Sequence, residues 1–399
     1  MKTNLKFALA GLAVFAWNSA ASAQNDMQPA PLQQDDPHAD ATLPGQTLGG
    51  LRDVINFNMG ARNVKALLIE DRKVWLGTSS GLVRYDTFTG DHRTYDNRTG
   101  LLSSGIFHLS RVDGELWVGT YGGGLSILDP ETDQFRHYNI QHGLGDAFIY
   151  DAVTMDNGDV WFATWSGANL VVDGDLDDVS KWRLFTVANT GGGLPNDWVY
   201  GLAKGANGEV WFATEGGLAH YKNGRWSHWT HAEGLGADYD VVKDAIDFQN
   251  DPGQISSHHA RQKVDQGIAD ISVAYNPNYV VALTVGKNGA VWVGTWGAGL
   301  SRFDGREWST LTTKDGLPGN HVFSLETLED GRLLVGTNRG VAVFDGENFR
   351  SFDVSGGVQS NTIFSMAAKG DAVWIGGYGG ASWLPNGFEN LLSDKEGAQ

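Results

Sequence analysis

The sequence contains no cysteine. That absence excludes a disulfide framework, a thiolate metal site, a thioether-linked haem and a lipid-modified cysteine anchor. A chain of 399 residues without covalent staples is held together by the burial of its own side chains. Proline is scarce at 10 residues, which argues against a Pro-rich or collagen-like chain. Basic residues are also few, 29 against 47 acidic ones, for a formal charge of −18. Such a chain repels phosphate backbones and anionic headgroups, so nucleic acid is not an expected partner. Beyond the N-terminus no apolar run approaches the ~20 residues that cross a bilayer, and no membrane insertion is expected.

The N-terminus has its own pattern. Lys2 and Lys6 precede a short apolar stretch from Leu9 to Trp17, and Ala21-Ser22-Ala23 offers a small-residue cleavage site. Residues 1–23 therefore read as a signal peptide, which implies a periplasmic or secreted protein starting at Gln24. Residues 24–50 are rich in Gln, Asp, Pro and Ala without periodicity, and are expected to form a disordered linker. The folded body is expected over residues 51–399.

Glycine (54 residues) and tryptophan (15 residues) are abundant, as they would be in many short strands joined by tight turns. One element recurs seven times: Val74-Trp75-Leu76-Gly77-Thr78, Leu116-Trp117-Val118-Gly119-Thr120, Val160-Trp161-Phe162-Ala163-Thr164, Val210-Trp211-Phe212-Ala213-Thr214, Val291-Trp292-Val293-Gly294-Thr295, Leu333-Leu334-Val335-Gly336-Thr337 and Val373-Trp374-Ile375-Gly376-Gly377. Successive copies stand 42, 44, 50, 81, 42 and 40 residues apart. A period near 40–45 with four strands in each unit marks the blades of a propeller. In the sixth copy the strands are expected at 322–328, 332–336, 341–344 and 348–352, separated by Gly-containing turns. The predicted fold is all-β: a seven-bladed β-propeller of four-stranded blades, with the repeated Trp residues packed between blades.

The 81-residue interval breaks the period. Residues 236–276 read as a helical insertion before blade five. One helix is expected over Asp240–Phe248, with Val241, Val242, Ala245 and Ile246 on one side. A second is expected after Ser257, with Ala260, Val264, Ile268 and Ile271 as its apolar stripe. Closure of the ring is open to either terminus, since both 51–58 and 388–392 look like strands.

The run Asp315-Gly316-Leu317-Pro318-Gly319-Asn320-His321-Val322-Phe323-Ser324-Leu325, with Val343-Phe344-Asp345 after the next Gly-Thr, resembles the two-component regulator propeller repeat. The stretch from Leu116 to Asp129, containing Gly-Thr-Tyr-Gly-Gly-Gly-Leu, does so as well. The resemblance spans about residues 60–392 apart from the insertion. It implies the periplasmic sensor half of a histidine kinase, often one that senses polysaccharide. This sequence has no kinase, DNA-binding or membrane-spanning part, so a stand-alone exported form is expected. Trp211-Phe212-Ala213-Thr214-Glu215 also resembles the propeller of streptogramin-type lyases.

In a propeller, the loop between the second and third strands shares a face with the loop that enters the next blade. The residues after Gly-Thr are Ser79, Tyr121, Trp165, Glu215, Trp296, Asn338 and Tyr378. Those before the innermost strands are Asn63, Gly105, Phe148, Trp198, Tyr279, His321 and Thr362. The rings among them suit stacking on sugar faces or other flat ligands. Tyr121, Trp165, Glu215, Trp296, Asn338, Tyr378, Phe148, Trp198, Tyr279 and His321 are thus the candidate ligand-binding residues. The expected partner is a carbohydrate-like small molecule or oligosaccharide, or a protein. Two further readings stand beside this one. A lyase or hydrolase would use Glu215 and His321 as acid–base candidates. An assembly scaffold would dock a protein through 236–276. No cofactor is expected, and no metal: adjacent helical residues such as His258-His259 diverge by about 100°.

Overall fold

The computed structural model describes residues 54–248 and 251–388. The predicted signal peptide and linker lie outside them, as does most of the C-terminal candidate strand. Twenty-eight strands among the described residues form seven four-stranded antiparallel sheets. In six blades the four strands follow one another in sequence; in the seventh the outer strand comes from the N-terminal side. Ile55–Asn58 pairs with Gly380–Leu384, with Ile55 opposite Trp383 and Asn58 opposite Gly380. The ring is closed by joining the first strand to the last blade, which also covers an edge that would otherwise invite strand addition.

The repeated motif has a mechanical explanation. Its Thr is buried, and its Oγ1 donates to the carbonyl of the Gly that opens the third strand, at 2.7 Å in Thr78→Gly81 and 2.9 Å in Thr337→Gly340. The hydroxyl thus satisfies a buried carbonyl at a hairpin turn. The Gly before it makes room for the next blade. A Cβ on Gly77 would sit 2.6 Å from Cγ2 of Ile106, and one on Gly336 would sit 2.8 Å from Cγ2 of Ile363. The Trp residues pack across blade boundaries as expected: Trp117 stacks on Phe162 at 5.9 Å, and Trp374 meets Tyr85 of blade one edge-on at 6.1 Å.

Six inner strands begin with a buried β-branched residue and then bulge, and in blade five buried Val280 holds the equivalent place within its strand. A bulge leaves one residue out of the ladder and re-aims its side chain. The residues so placed are Lys65, Phe107, Tyr150, Tyr200, Val281, Phe323 and Phe364, one from each blade. All seven line one cavity of about 210 Å³. Drawing on every blade, it lies at the propeller axis.

The insertion leaves the outer strand of blade four (Arg225–Trp229) and returns to the inner strand of blade five (Asn276–Val285). Its described residues hold three short α-helices: α1 (Tyr239–Val242), α2 (Pro252–Ile255) and α3 (Ser257–Asp265). The first predicted helix is shorter than expected, passing into a 3₁₀ turn at Lys243–Ala245. The predicted stripe of the second is corrected. Val264 is 63% exposed, whereas His259 and Lys263 are the buried residues of α3. The buried face is polar because it meets polar groups: Lys263 Nζ donates to Asp251 at 2.8 Å and to the carbonyls of Ile271 and Val273 at 2.6 and 3.0 Å. Ile268 and Ile271 lie beyond the helix and pack with Val242, Tyr275 and Ala298.

Candidate functional site

The two rows of predicted residues meet on one face. Tyr121 bridges Phe148, Trp296 bridges His321, and the amide of Glu215 donates to the carbonyl of Trp198 at 3.2 Å. Their rings form a continuous run. Tyr121 meets Phe148 edge-on at 4.6 Å, Phe148 stacks on Trp165 at 4.4 Å, and Trp165 stacks on Trp198 at 5.0 Å. On the opposite side Tyr279 stacks on Trp296 at 5.3 Å, and Trp296 meets His321 edge-on at 5.5 Å.

The face is not uniformly open, because the insertion lies on part of it. Phe248 covers Trp296, His321 and Phe323, with centroids 5.8, 4.9 and 5.6 Å away. Trp296 is 3% exposed, Tyr279 1% and His321 1%. These three were expected to offer an open platform and are instead buried beneath the insertion. Asn338 is buried as well, and its Nδ2 donates to Asp247 of the insertion at 3.4 Å. Tyr121, Phe148, Trp165 and Trp198 are only partly buried, and Tyr378 is exposed across the axis. What remains is an aromatic ledge on blades two to four beside a seated cover.

Glu215 holds that cover. Its carboxylate has no solvent exposure, and His258 Nε2 of α3 lies 3.0 Å from Oε2. His259 Nε2 stands 3.2 Å from Oε1, without the alignment of a hydrogen bond. His258 also stacks on Trp198 at 3.8 Å, which joins the helix to the ledge. Adjacent histidines reach one carboxylate because they occupy the first turn of α3 and approach it from two sides. Burial raises the Glu215 pKa and depresses that of His259 to about 3. Burial likewise depresses His321 to about 4, while its Nε2 donates to the carbonyl of Ala274 at 2.7 Å. Neither acid–base candidate reaches solvent here. No group of three or more His, Cys, Asp or Glu among the described residues has metal-binding geometry.

The seven axial residues formed no part of the expected site. Each follows a buried β-branched residue of an inner strand, so the sequence signal was present two positions beyond the residues chosen. Asp151, the next residue in blade three, is braced. Its Oδ2 accepts from the Leu202 amide at 2.8 Å, and its Oδ1 accepts from the Ala152 amide at 2.9 Å and lies 2.8 Å from His108 Nδ1. This carboxylate ties blades two, three and four together.

Two predictions follow from this geometry. Glu215→Ala removes the anchor of α3, so amide protection over residues 251–275 is expected to fall at least tenfold in hydrogen exchange while the blades keep theirs. Equal protection in the variant means that the carboxylate does not hold the cover. The second concerns pH. A His whose folded pKa is depressed gives stability that is present above its unfolded value of 6.5 and lost as pH falls towards the folded value. His321 is thus expected to cost roughly 1.4 kcal/mol per pH unit below 6.5, down to about 4. Glu215, with its raised pKa, acts in the opposite sense. Denaturant melts of His321→Gln at pH 7, 6 and 5 should show a shallower acid loss than the parent; parallel slopes would remove His321 as a source.

Comparison with known proteins agrees with the architecture. Residues 193–216 match the two component regulator propeller family. A 130-residue stretch is 31% identical to histidine kinase P4 of Formosa agariphila, over 29% of this chain and 10% of that protein. The chain thus spans about a tenth of the length of that curated relative. Among solved structures, the extracellular domain of a hybrid two component system from B. thetaiotaomicron superposes with a TM-score of 0.61 at 16% identity, over 83% of this chain and 40% of that one. Virginiamycin B lyase from Staphylococcus aureus gives 0.58 at 13% identity, over 83% and 98%. At such identities the structures share the fold. No helix among the described residues is long and apolar enough to cross a membrane. The chain is a seven-bladed β-propeller in which residues 193–216 match the two component regulator propeller family.

Proposed function

We propose that this protein is an exported binding propeller of the sensor type, which takes a carbohydrate-like ligand on the aromatic ledge beside its insertion. The supporting observation is the run of packed rings from Tyr121 to Trp198, partly buried and ending on His258 of the cover. Flat ring faces pack against the C–H faces of sugars, and a few fixed polar groups set orientation. Such groups are nearby: Asp146 accepts from Ser166 at 2.8 Å and from the Phe148 amide at 3.0 Å. The likeness to extracellular parts of two component systems supports the same reading. A lyase or hydrolase would require Glu215 or His321 to meet substrate. Both lie at or below 1% exposure, so that reading needs the insertion to leave the face.

A panel of oligosaccharides tested by calorimetry against residues 24–399 is expected to yield one saturable class. Trp165→Ala should weaken it by at least tenfold, about 1.4 kcal/mol. Undiminished affinity in Trp165→Ala and Tyr121→Ala together would remove the ledge as the site.

One observation favours a second reading, a scaffold that docks a protein through the insertion. Ile255 is 51% exposed and Val264 63%, both on its helical segment. In that case Ile255→Asp with Val264→Asp abolishes association with the partner while sugar binding is retained; association surviving both substitutions excludes these residues as the dock.

A further inference from the structure

The insertion fills part of the loop face with rings of its own. His258 and His259 stand between Trp198 of blade four and Tyr279 of blade five. His258 stacks on Trp198 at 3.8 Å, His259 meets Trp198 edge-on at 5.4 Å, and His259 lies 5.8 Å from Tyr279. Phe248 lies 5.8 Å from Trp296. The ledge, the two imidazoles and the buried rings of blades five and six thus form one continuous run from Tyr121 to His321. A flat ligand stacking along the whole of it would take the place that His258 and His259 now hold.

The insertion is braced from within. Lys263 is met by Asp251 and by the carbonyls of Ile271 and Val273. Gln254 Nε2 donates to the Ser272 carbonyl at 2.6 Å, and the Tyr275 hydroxyl donates to the Ala237 carbonyl at 2.8 Å. Val242 and Tyr275 pack with Ile268 and Ile271 in a small core. The contact with the blades is less well matched. Oε1 of Glu215 makes no hydrogen bond among the described residues, and neither ring nitrogen of His259 makes one, although all three atoms are buried. Buried polar atoms are nearly all paired in native structures, so these three mark a surface that fits its present occupant incompletely. A carboxylate set among flat rings is suited to sugars: C–H faces pack on the rings, and hydroxyl groups donate to the free oxygen.

We infer that the seat of the insertion is the second half of the ligand site, and that α3 is its built-in occupant, displaced by an extended carbohydrate of flat, equatorially substituted units. The inference rests on the ledge reading and adds the length of the ligand and the control of its site. A short saccharide takes the ledge alone. A longer chain moves His258 and His259 aside, and gains the rings of Tyr279 and Trp296 and the Glu215 carboxylate in their place.

The chain has no cysteine, so one introduced thiol reports on one place. Asn338→Cys puts it beneath the insertion, Ser80→Cys in the open on the same face, and Ala342→Cys in the core of blade six. Each full mature chain is reacted with iodoacetamide alone, with cellobiose and with cellohexaose. Asn338→Cys is expected to react at least tenfold faster than Ala342→Cys and more slowly than Ser80→Cys. Cellohexaose is expected to speed it at least tenfold further, and cellobiose to leave it unchanged. His258→Ala, at a partly exposed side chain, is expected to speed it at least tenfold without sugar. The inference is overturned if Asn338→Cys reacts no faster than Ala342→Cys, or if either His258→Ala or cellohexaose leaves its rate unchanged. A rate lowered by cellohexaose also overturns it, since the insertion then closes on the ligand. Amide exchange over residues 251–275 of the unaltered chain reads the same displacement and decides the matter should a variant not fold. Calorimetry on Trp165→Ala separates the two readings. Weakened binding beside an unchanged thiol rate defeats this inference alone, whereas undiminished binding defeats the ledge reading.

Discussion

The packing of one blade against the next is the constraint on which everything else depends. Each sheet is packed between two neighbours, so its second strand is buried almost throughout while its outer strand is mixed, and neighbouring sheets interlock at fixed points. The tightest point lies between the Gly of Gly-Thr and the β-branched residue that opens the next inner strand. Blades three and four carry Ala163 and Ala213 at this place, so a methyl is accommodated there, and anything larger would push the sheets apart. Gly376 faces Val64 in the same way, so the constraint runs across the closure from blade seven to blade one.

This interlock also creates the axis. A β-branched residue wedged between blades leaves its successor unable to continue the ladder, and the bulge turns that successor inwards. The repeat that stabilises the disc thus delivers one variable side chain per blade to a shared cavity. The first residue is Val or Ile in every blade, whereas the second is Lys, Phe, Tyr or Val, so the second is the more variable of the two. The loop face obeys the same logic: Thr Oγ1 fixes the turn, and the residue after it is free to vary.

The insertion alters the meaning of that face. Half of the aromatic residues there serve as a seat for Phe248, His258 and His259, and half remain as a ledge. Glu215 sits where the two halves meet, wholly buried yet in contact with imidazoles from another part of the chain. A buried carboxylate is costly unless it is paired, so the cover and the blade beneath it stabilise each other.

Much of this was legible in the sequence because it repeats. The Val-Trp-x-Gly-Thr period gave blade number, strand order and the role of the Trp residues, since each blade solves the same local problem. The loop-face residues followed from their place in that period, as did the position of the insertion. Three matters were not local. Both termini offered a strand for closure, and only the assembled ring shows Ile55–Asn58 against Gly380–Leu384. The polarity of the buried face of α3 was misjudged because an apolar stripe assumes an apolar seat, whereas His259 and Lys263 pack against polar groups distant in sequence. Lys65 looked like an ordinary strand lysine until five other blades placed rings, and a sixth Val281, in the cavity that it lines. The sequence by itself determined the repeating unit, because strand, turn and inter-blade contacts act over a few residues at a fixed period. The tertiary structure alone decided which rings stay open, what Glu215 meets and what faces the axis, because those depend on how distant blades and one aperiodic segment come together.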